Sequence, residues 1–222
     1  MNHHEITTVH RIGPKRLRAV LAVPESAVGL VIFAHGSDSS CVSPRNEHIA
    51  SRLNQDGIAT LLFDFLTGAE SSERENSFKP PLLADRLMEV IAWTQQQNAL
   101  NGLPVGLFGS GTGMAAVIVA AANQPIPLRA IVGRGGRTDL VSRWLEQVTV
   151  PTLFIVGELD HSLLIANQIA AHTVKGESRF QVINGASHLF SEAGKLSEVA
   201  EIAAEWFVTH LDATAPTSVP PG

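Results

Sequence analysis

A single cysteine in 222 residues, Cys41, rules out an intrachain disulfide and suits a reducing cytoplasm. No stretch approaches the roughly 20 apolar residues that a bilayer-spanning helix needs. Residues 1–11 are polar and carry no apolar segment of the signal-peptide kind. Runs of lysine and arginine are also missing: the sixteen basic residues are scattered and the formal net charge is −5. Nucleic acid and anionic membrane are therefore poor candidate partners. No cluster of metal ligands with usable spacing occurs, no cofactor motif stands out, and no internal repeat is visible. His3 and His4 read as a solvated terminus. From Ala213 to Gly222 three prolines and no apolar periodicity predict a flexible tail. The remainder, residues 1–211, is expected to be one domain, since 45% hydrophobic residues can fill a sizeable core.

Short β-branched runs alternate along the chain with longer amphipathic ones. Residues 6–12 and 16–23 predict a hairpin or meander closed by Pro24. The continuous apolar run Leu30–Ala34, ending at His35-Gly36, reads as a buried parallel strand. A helix follows, with Ser43 as its cap, Pro44 in its first turn and Gly57 at its end. Further strands are expected at 59–64, 104–108, 129–132, 151–156 and 180–183. Helices are expected at about 81–97, 112–122, 140–145, 162–172 and 195–211. The polar stretch 67–79 reads as a surface loop or a lid. Strand–helix alternation with short connections predicts an α/β fold, a mostly parallel sheet of about eight strands with helices on both faces. In such sheets chemistry gathers outside the carboxyl ends of the strands.

Three features fall there. The first is Gly106-Leu107-Phe108-Gly109-Ser110-Gly111-Thr112-Gly113, between an apolar strand and a small-residue helix. A nucleophile elbow needs small residues two before and two after the nucleophile, because strand and helix almost touch. Gly109 and Gly113 meet that need around position 111. A nucleophile at Ser110 would put Phe108 in a tight place, and one at Thr112 would put Met114 there. The register points to 111, which is glycine. A phosphate-cradling loop would want a lysine after the glycines, and none is present.

The second feature is Asp160, three residues past the strand-ending Gly157, where a carboxylate can orient an imidazole. Glu158 competes for that role but should point outward. The third is His188, in the loop after the last strand. The order nucleophile, acid, base has separations of 49 residues (160 minus 111) and 28 (188 minus 160). Oxyanion donors are expected from the backbone N–H of Thr112 and, through the loop His35-Gly36-Ser37-Asp38, of Ser37. Asp38 would have to face away or pair, with Arg45 as its partner.

With these segments the chain resembles the dienelactone-hydrolase-like members of the α/β-hydrolase superfamily. The resemblance spans about residues 15–211. It is carried by residues 33–37, 43–46, 109–113, 134–140, 157–160 and 185–190. It implies a Ser–Asp–His triad hydrolysing esters or lactones without a cofactor, with serine at the position of Gly111. This chain breaks the pattern there. Without the hydroxyl no acyl-enzyme forms, and a severe loss of turnover is expected. The fold should tolerate glycine, which adopts a strained elbow conformation freely. Three readings stay open: a nucleophile removed by engineering from an active esterase, a natural binding protein, or an enzyme in which His188 and Asp160 activate water directly.

Lesser expectations concern the pocket. Arg134 is a candidate contact for an anionic substrate group, against pairing of Arg134 or Arg137 with Asp139. Phe65, Leu66, Leu189 and Phe190 are candidates for an acyl or aromatic pocket. Cys41 lies off the elbow and has no evident base. The expected partners are a small ester or lactone and, for the subunit, a second copy in a homodimer.

Overall fold

The computed structural model describes residues 5–37, 39–123 and 127–212. His3, His4, Asp38 with its expected Arg45 pairing, and the tail from 213 lie outside the described residues. β1 (Glu5–Ile12) and β2 (Leu17–Pro24) pair antiparallel. Then come β3 (Gly29–Ala34), β4 (Ile58–Phe63), β5 (Val105–Ser110), β6 (Leu128–Arg134), β7 (Thr152–Gly157) and β8 (Ser178–Ile183). The helices are α1 (Pro44–Gln55), α2 (Gly68–Ser71), α3 (Pro80–Thr94), α4 (Thr112–Asn123), α5 (His161–Thr173) and α6 (Lys195–Leu211).

All eight strands join one sheet in the order β1-β2-β4-β3-β5-β6-β7-β8. The β2–β4 pair is antiparallel, and every pair from β4 through β8 is parallel. The central strands are apolar on both faces because both faces are covered. β3, β4 and β7 are buried at every residue. On one face α1 and α6 pack Ile49, Leu53, Val199, Ala203 and Trp206 against Phe33, Phe108 and Val132. On the other, α3, α4 and α5 pack Leu83, Leu87, Ile91, Val117 and Ala170 against Ile32, Leu107 and Ile131. α4 is buried without a break from Thr112 to Ala120. It is therefore apolar all round, and its small side chains let it approach the sheet closely.

The chain leaves β3 toward β4 on one side and returns to β5 on the other. The crevice between the carboxyl ends of β3 and β5 is thus a topological switch point, where ligands of open α/β sheets bind. Ala34 and Gly109 are partners across it.

Several local expectations need correction. Ser43 makes no side-chain cap. Its carbonyl accepts from Glu47 N–H at 2.9 Å, and Pro44, which lacks an N–H, needs no cap of its own. α3 stops at Thr94, whose hydroxyl donates to the Ile91 carbonyl at 2.7 Å, so Gln95–Gln97 lie beyond the helix. Residues 138–147 are a 3₁₀ segment, Thr138–Gln147, kinked at Val141. The stretch 67–79 folds into α2 and a 3₁₀ turn, Arg74–Phe78. Thr67 and Glu70 form a capping box there, and Glu70 also meets Lys15 and Arg86, each at 3.1 Å. The Thr67 N–H bond and the lysine hold the Glu70 carboxyl far below its ordinary range, at about 2. β6 and β8 run longer than expected, β6 through Arg134 and β8 from Ser178.

Candidate active site

The turn from β5 into α4 sits at the switch point. Gly111 has φ +54°, the left-handed region that side chains avoid. Its neighbours explain the glycine spacing. A Cβ on Gly109 would lie 2.6 Å from the Met114 Cα, and one on Gly113 would lie 2.0 Å from the Ala34 carbonyl oxygen. Neither can exist without moving backbone. At Gly111 the nearest atom to such a Cβ is the Gly36 Cα at 3.5 Å, an ordinary contact. Position 111 alone of the three has room for a side chain. The turn is braced by Arg137 N–H donating to the Gly111 carbonyl at 3.0 Å and Gly111 N–H donating to the Arg134 carbonyl at 3.4 Å.

Asp160 precedes α5, and His188 projects from the loop after β8. Gly157 lets that loop cross closely, since a Cβ there would meet the Ala186 carbonyl at 2.4 Å. His188 Nδ1 lies 2.6 Å from Asp160 Oδ2. An ionised carboxylate only accepts, so Nδ1 carries the proton and Nε2 is left as an acceptor. Ser162 Oγ donates to the other carboxylate oxygen at 3.3 Å. Glu158 turns away from this pair: its carboxylate accepts from Gly185 N–H at 2.6 Å, fixing the start of the histidine loop. Glu192 holds the loop's far side, accepting from Ser187 N–H at 3.1 Å.

Two cavities meet at the turn. One, about 400 Å³, brings together Gly111, Thr112, Ser37, His188, Leu189 and Arg134, with Arg45, Arg137 and Phe78 on its rim. The other, about 260 Å³, includes Ser37, Thr112, His35, Phe65 and Leu66. Ser37, Ser39, Gly36 and Thr112 belong to both. The expected pocket residues are thus divided, Phe65 and Leu66 on one side and Leu189 and Arg134 on the other. Phe190 lines neither cavity: it is 1% exposed, in the core beneath α6.

His35 was visible in the sequence only as part of a loop. Its Nε2 accepts from Phe65 N–H at 3.4 Å, so Nδ1 bears the proton and donates to the Gly36 carbonyl at 2.8 Å. Burial pushes its pKa down, favouring this neutral form. The ring thereby ties the loop after β3 to the one after β4. Cys41 is buried, its N–H donates to Asp64 at 2.7 Å, and burial pushes its thiol up to about 12. The group therefore stays a thiol near neutral pH.

Asp139 is taken by Arg137, in a fork of two bonds at 2.8 Å, and not by Arg134. Arg134 is buried at the end of β6, its guanidinium 6.0 Å from the Phe108 ring centre. Arg45, missed as a pocket residue, had a readable signal. It stands in the first turn of α1, where the helix dipole disfavours a cation.

An eight-stranded α/β sheet with an elbow at its switch point and an Asp–His pair beyond it defines the α/β hydrolases. The family model for the alpha/beta hydrolase domain matches residues 27–208, and the chain belongs to that family. Within it the chain is dienelactone-hydrolase-like. It is 41% identical to the dienelactone hydrolase of Anabaena variabilis, whose crystal structure superposes with a TM-score of 0.89 over 95% of this chain and 100% of that one. Est1E from Butyrivibrio proteoclasticus shares the fold, with a TM-score of 0.77 over 92% of this chain and 98% of that one at 15% identity. Two Mycobacterium tuberculosis proteins carrying the name "Putative phosphoribosyl transferase" are each 46% identical over 205 residues. That alignment takes in 92% of this chain and 46% of each relative, so the chain spans about half their length. Among the described residues no helix is long and apolar enough to cross a membrane.

Proposed function

We propose that the site is that of a serine-type ester or lactone hydrolase from which the nucleophile's hydroxyl is missing. The observation that carries this reading is the contrast at the elbow. Gly109 and Gly113 are sterically required, whereas Gly111 has open space and a backbone twist that a side chain rarely adopts. A turn that aims a reactive group imposes this conformation on a side chain at its own cost, and glycine adopts it freely.

In this reading a serine at 111 attacks the carbonyl carbon while His188 Nε2 takes its proton. Asp160 holds the imidazole in the required tautomer and stabilises the imidazolium that forms. The backbone N–H groups of Thr112 and Ser37 bind the oxyanion. His35 fixes the loop that carries Ser37. The leaving alcohol departs with the proton from His188, and water then hydrolyses the acyl-enzyme with His188 as base. With glycine at 111 the first bond cannot form, so the chain as it stands is nearly inactive.

The transferase name of the mycobacterial relatives belongs to proteins of which this chain matches less than half. That match takes in 92% of this chain, and the α/β-hydrolase model takes in residues 27–208. That favours the hydrolase reading for this chain. Restoring the hydroxyl by Gly111→Ser and assaying small aryl esters and lactones tests it. Hydrolysis confined to the serine form supports the proposal, and a folded serine form with no activity on any of them sinks it.

A further inference from the structure

The larger cavity holds a cation that none of the chemistry above uses. Arg134 is 8% exposed, and its Nη1 is fully buried without a hydrogen-bond partner among the described residues. Leaving such a group unsatisfied costs about 1–3 kcal/mol, more when it is charged, so it calls for an acceptor beyond the described residues. Arg45 lines the same cavity, and its Nε is likewise buried and unpartnered. No carboxylate among the described residues forms an ion pair with either, whereas neighbouring Arg137 is neutralised by Asp139. Burial and the nearby Arg45 charge push the Arg134 guanidinium down to about 10, which still leaves it charged at neutral pH.

The third contributor is the start of α4. Thr112 is its first residue and lines the cavity, and the first backbone N–H groups of a helix have no acceptor within it. The positive end of the helix dipole adds to the field there. Two guanidiniums without an ion-pair partner among the described residues, and a helix N-terminus, face one cleft of about 400 Å³, open beside Gly111.

We propose that this cleft binds a phosphate-ester group, held by Arg134 and Arg45 at the N-terminal end of α4. A single carboxylate offsets only one of two mutually repelling arginines. A phosphate monoester carries close to two charges at neutral pH and three acceptor oxygens, enough to meet both guanidiniums and a backbone N–H together. The ligand is therefore a small organic phosphate, its phosphate in the arginine cleft and its body toward the adjoining cavity that Phe65 and Leu66 help to line. The inference goes beyond the hydrolase reading, because it rests on the arginines and holds for the glycine form as it stands.

The test uses the whole chain with Gly111 in place and needs no turnover. Inorganic phosphate is titrated by phosphorus NMR and calorimetry at constant ionic strength, with acetate as competitor. Binding with a Kd of about 1 mM or tighter is expected. Acetate should not displace it, and Arg45→Gln should weaken it about tenfold, the worth of one charge-assisted bond. Arg134→Met should abolish it. Arg143→Gln, on the 3₁₀ segment and outside the cleft, should leave it unchanged. The half-exposed Arg45 keeps the test valid even if Arg134→Met fails to fold. Absence of phosphate binding by the folded chain, acetate binding as tight as phosphate, or equal weakening by Arg45→Gln and Arg143→Gln would overturn the proposal. Each of these leaves the Gly111→Ser assay untouched, so the two readings fail separately.

Discussion

His188 and Asp160 are joined by a 2.6 Å hydrogen bond in which the carboxylate side chain is 8% exposed and the imidazole 49% exposed. The anion is sheltered and the base stands at the edge of the cleft, its Nε2 available. Such a pair orients a general base, and its value shows only when a nucleophile is present. In the Gly111→Ser form, Asp160→Asn should lower kcat by on the order of 10⁴-fold, because the amide can donate to Nδ1 and so favours the wrong tautomer. In the glycine form the same change should leave the residual rate almost unmoved. Single-turnover kinetics on an aryl ester in both backgrounds measures the difference.

The glycines at the elbow should respond very differently to an added methyl group. Gly113→Ala drives a Cβ onto the Ala34 carbonyl and Gly109→Ala drives one onto the Met114 backbone. Each should cost about 3 kcal/mol or more, at or beyond the upper end of ordinary overpacking. Gly111→Ala meets no obstruction and should cost only the left-handed backbone, about 1–3 kcal/mol. Urea unfolding of the three variants gives the ranking. A Gly111→Ala penalty larger than that of Gly113→Ala would contradict the geometry.

The same glycines also mark what the amino-acid sequence alone makes legible. The elbow register followed from glycine spacing: at Gly109 the steric demand is local, strand against helix within five residues, and at Gly113 it comes from the Ala34 carbonyl of the neighbouring strand. The buried strands were visible because strands covered on both faces are continuously apolar, as in Leu30–Ala34. The stretch 67–79 was opaque. Its order depends on Glu70 meeting Lys15 and Arg86, contacts that no local pattern encodes. For Arg134 the outcome turns on position: it ends β6 and is buried, whereas Arg137 lies beyond the strand, two residues from Asp139, and pairs with it locally.

Glu70 supplies a pH signature. Its folded carboxyl sits at about 2, against an ordinary value of 4.5, so its contribution to stability is complete above pH 4.5. It is lost as pH falls from there through about 2, where the folded form also takes up the proton. Glu70→Gln should therefore lower stability near neutral pH and flatten the acid side of the stability profile. Denaturant midpoints at a series of pH values test this. An unchanged slope between pH 4.5 and 2 would show that the carboxylate is not held as described.

Cys41 should be inert. With its thiol pushed up to about 12, the thiolate fraction at pH 8 is about 10⁻⁴. Reaction with a disulfide reagent should be negligible in the folded protein and complete after unfolding. Rapid labelling of the native chain would mean that the segment burying Cys41 opens.

The central claim is that position 111, and neither Ser110 nor Thr112, is where the nucleophile stood. The most direct test is covalent labelling with a fluorophosphonate followed by intact-mass and peptide mass spectrometry. The account predicts no adduct on the glycine form and one adduct on Gly111→Ser at residue 111, lost when His188→Ala is added. An adduct on Ser110 or Thr112 of the glycine form, or a folded Gly111→Ser protein that takes no label, would contradict it.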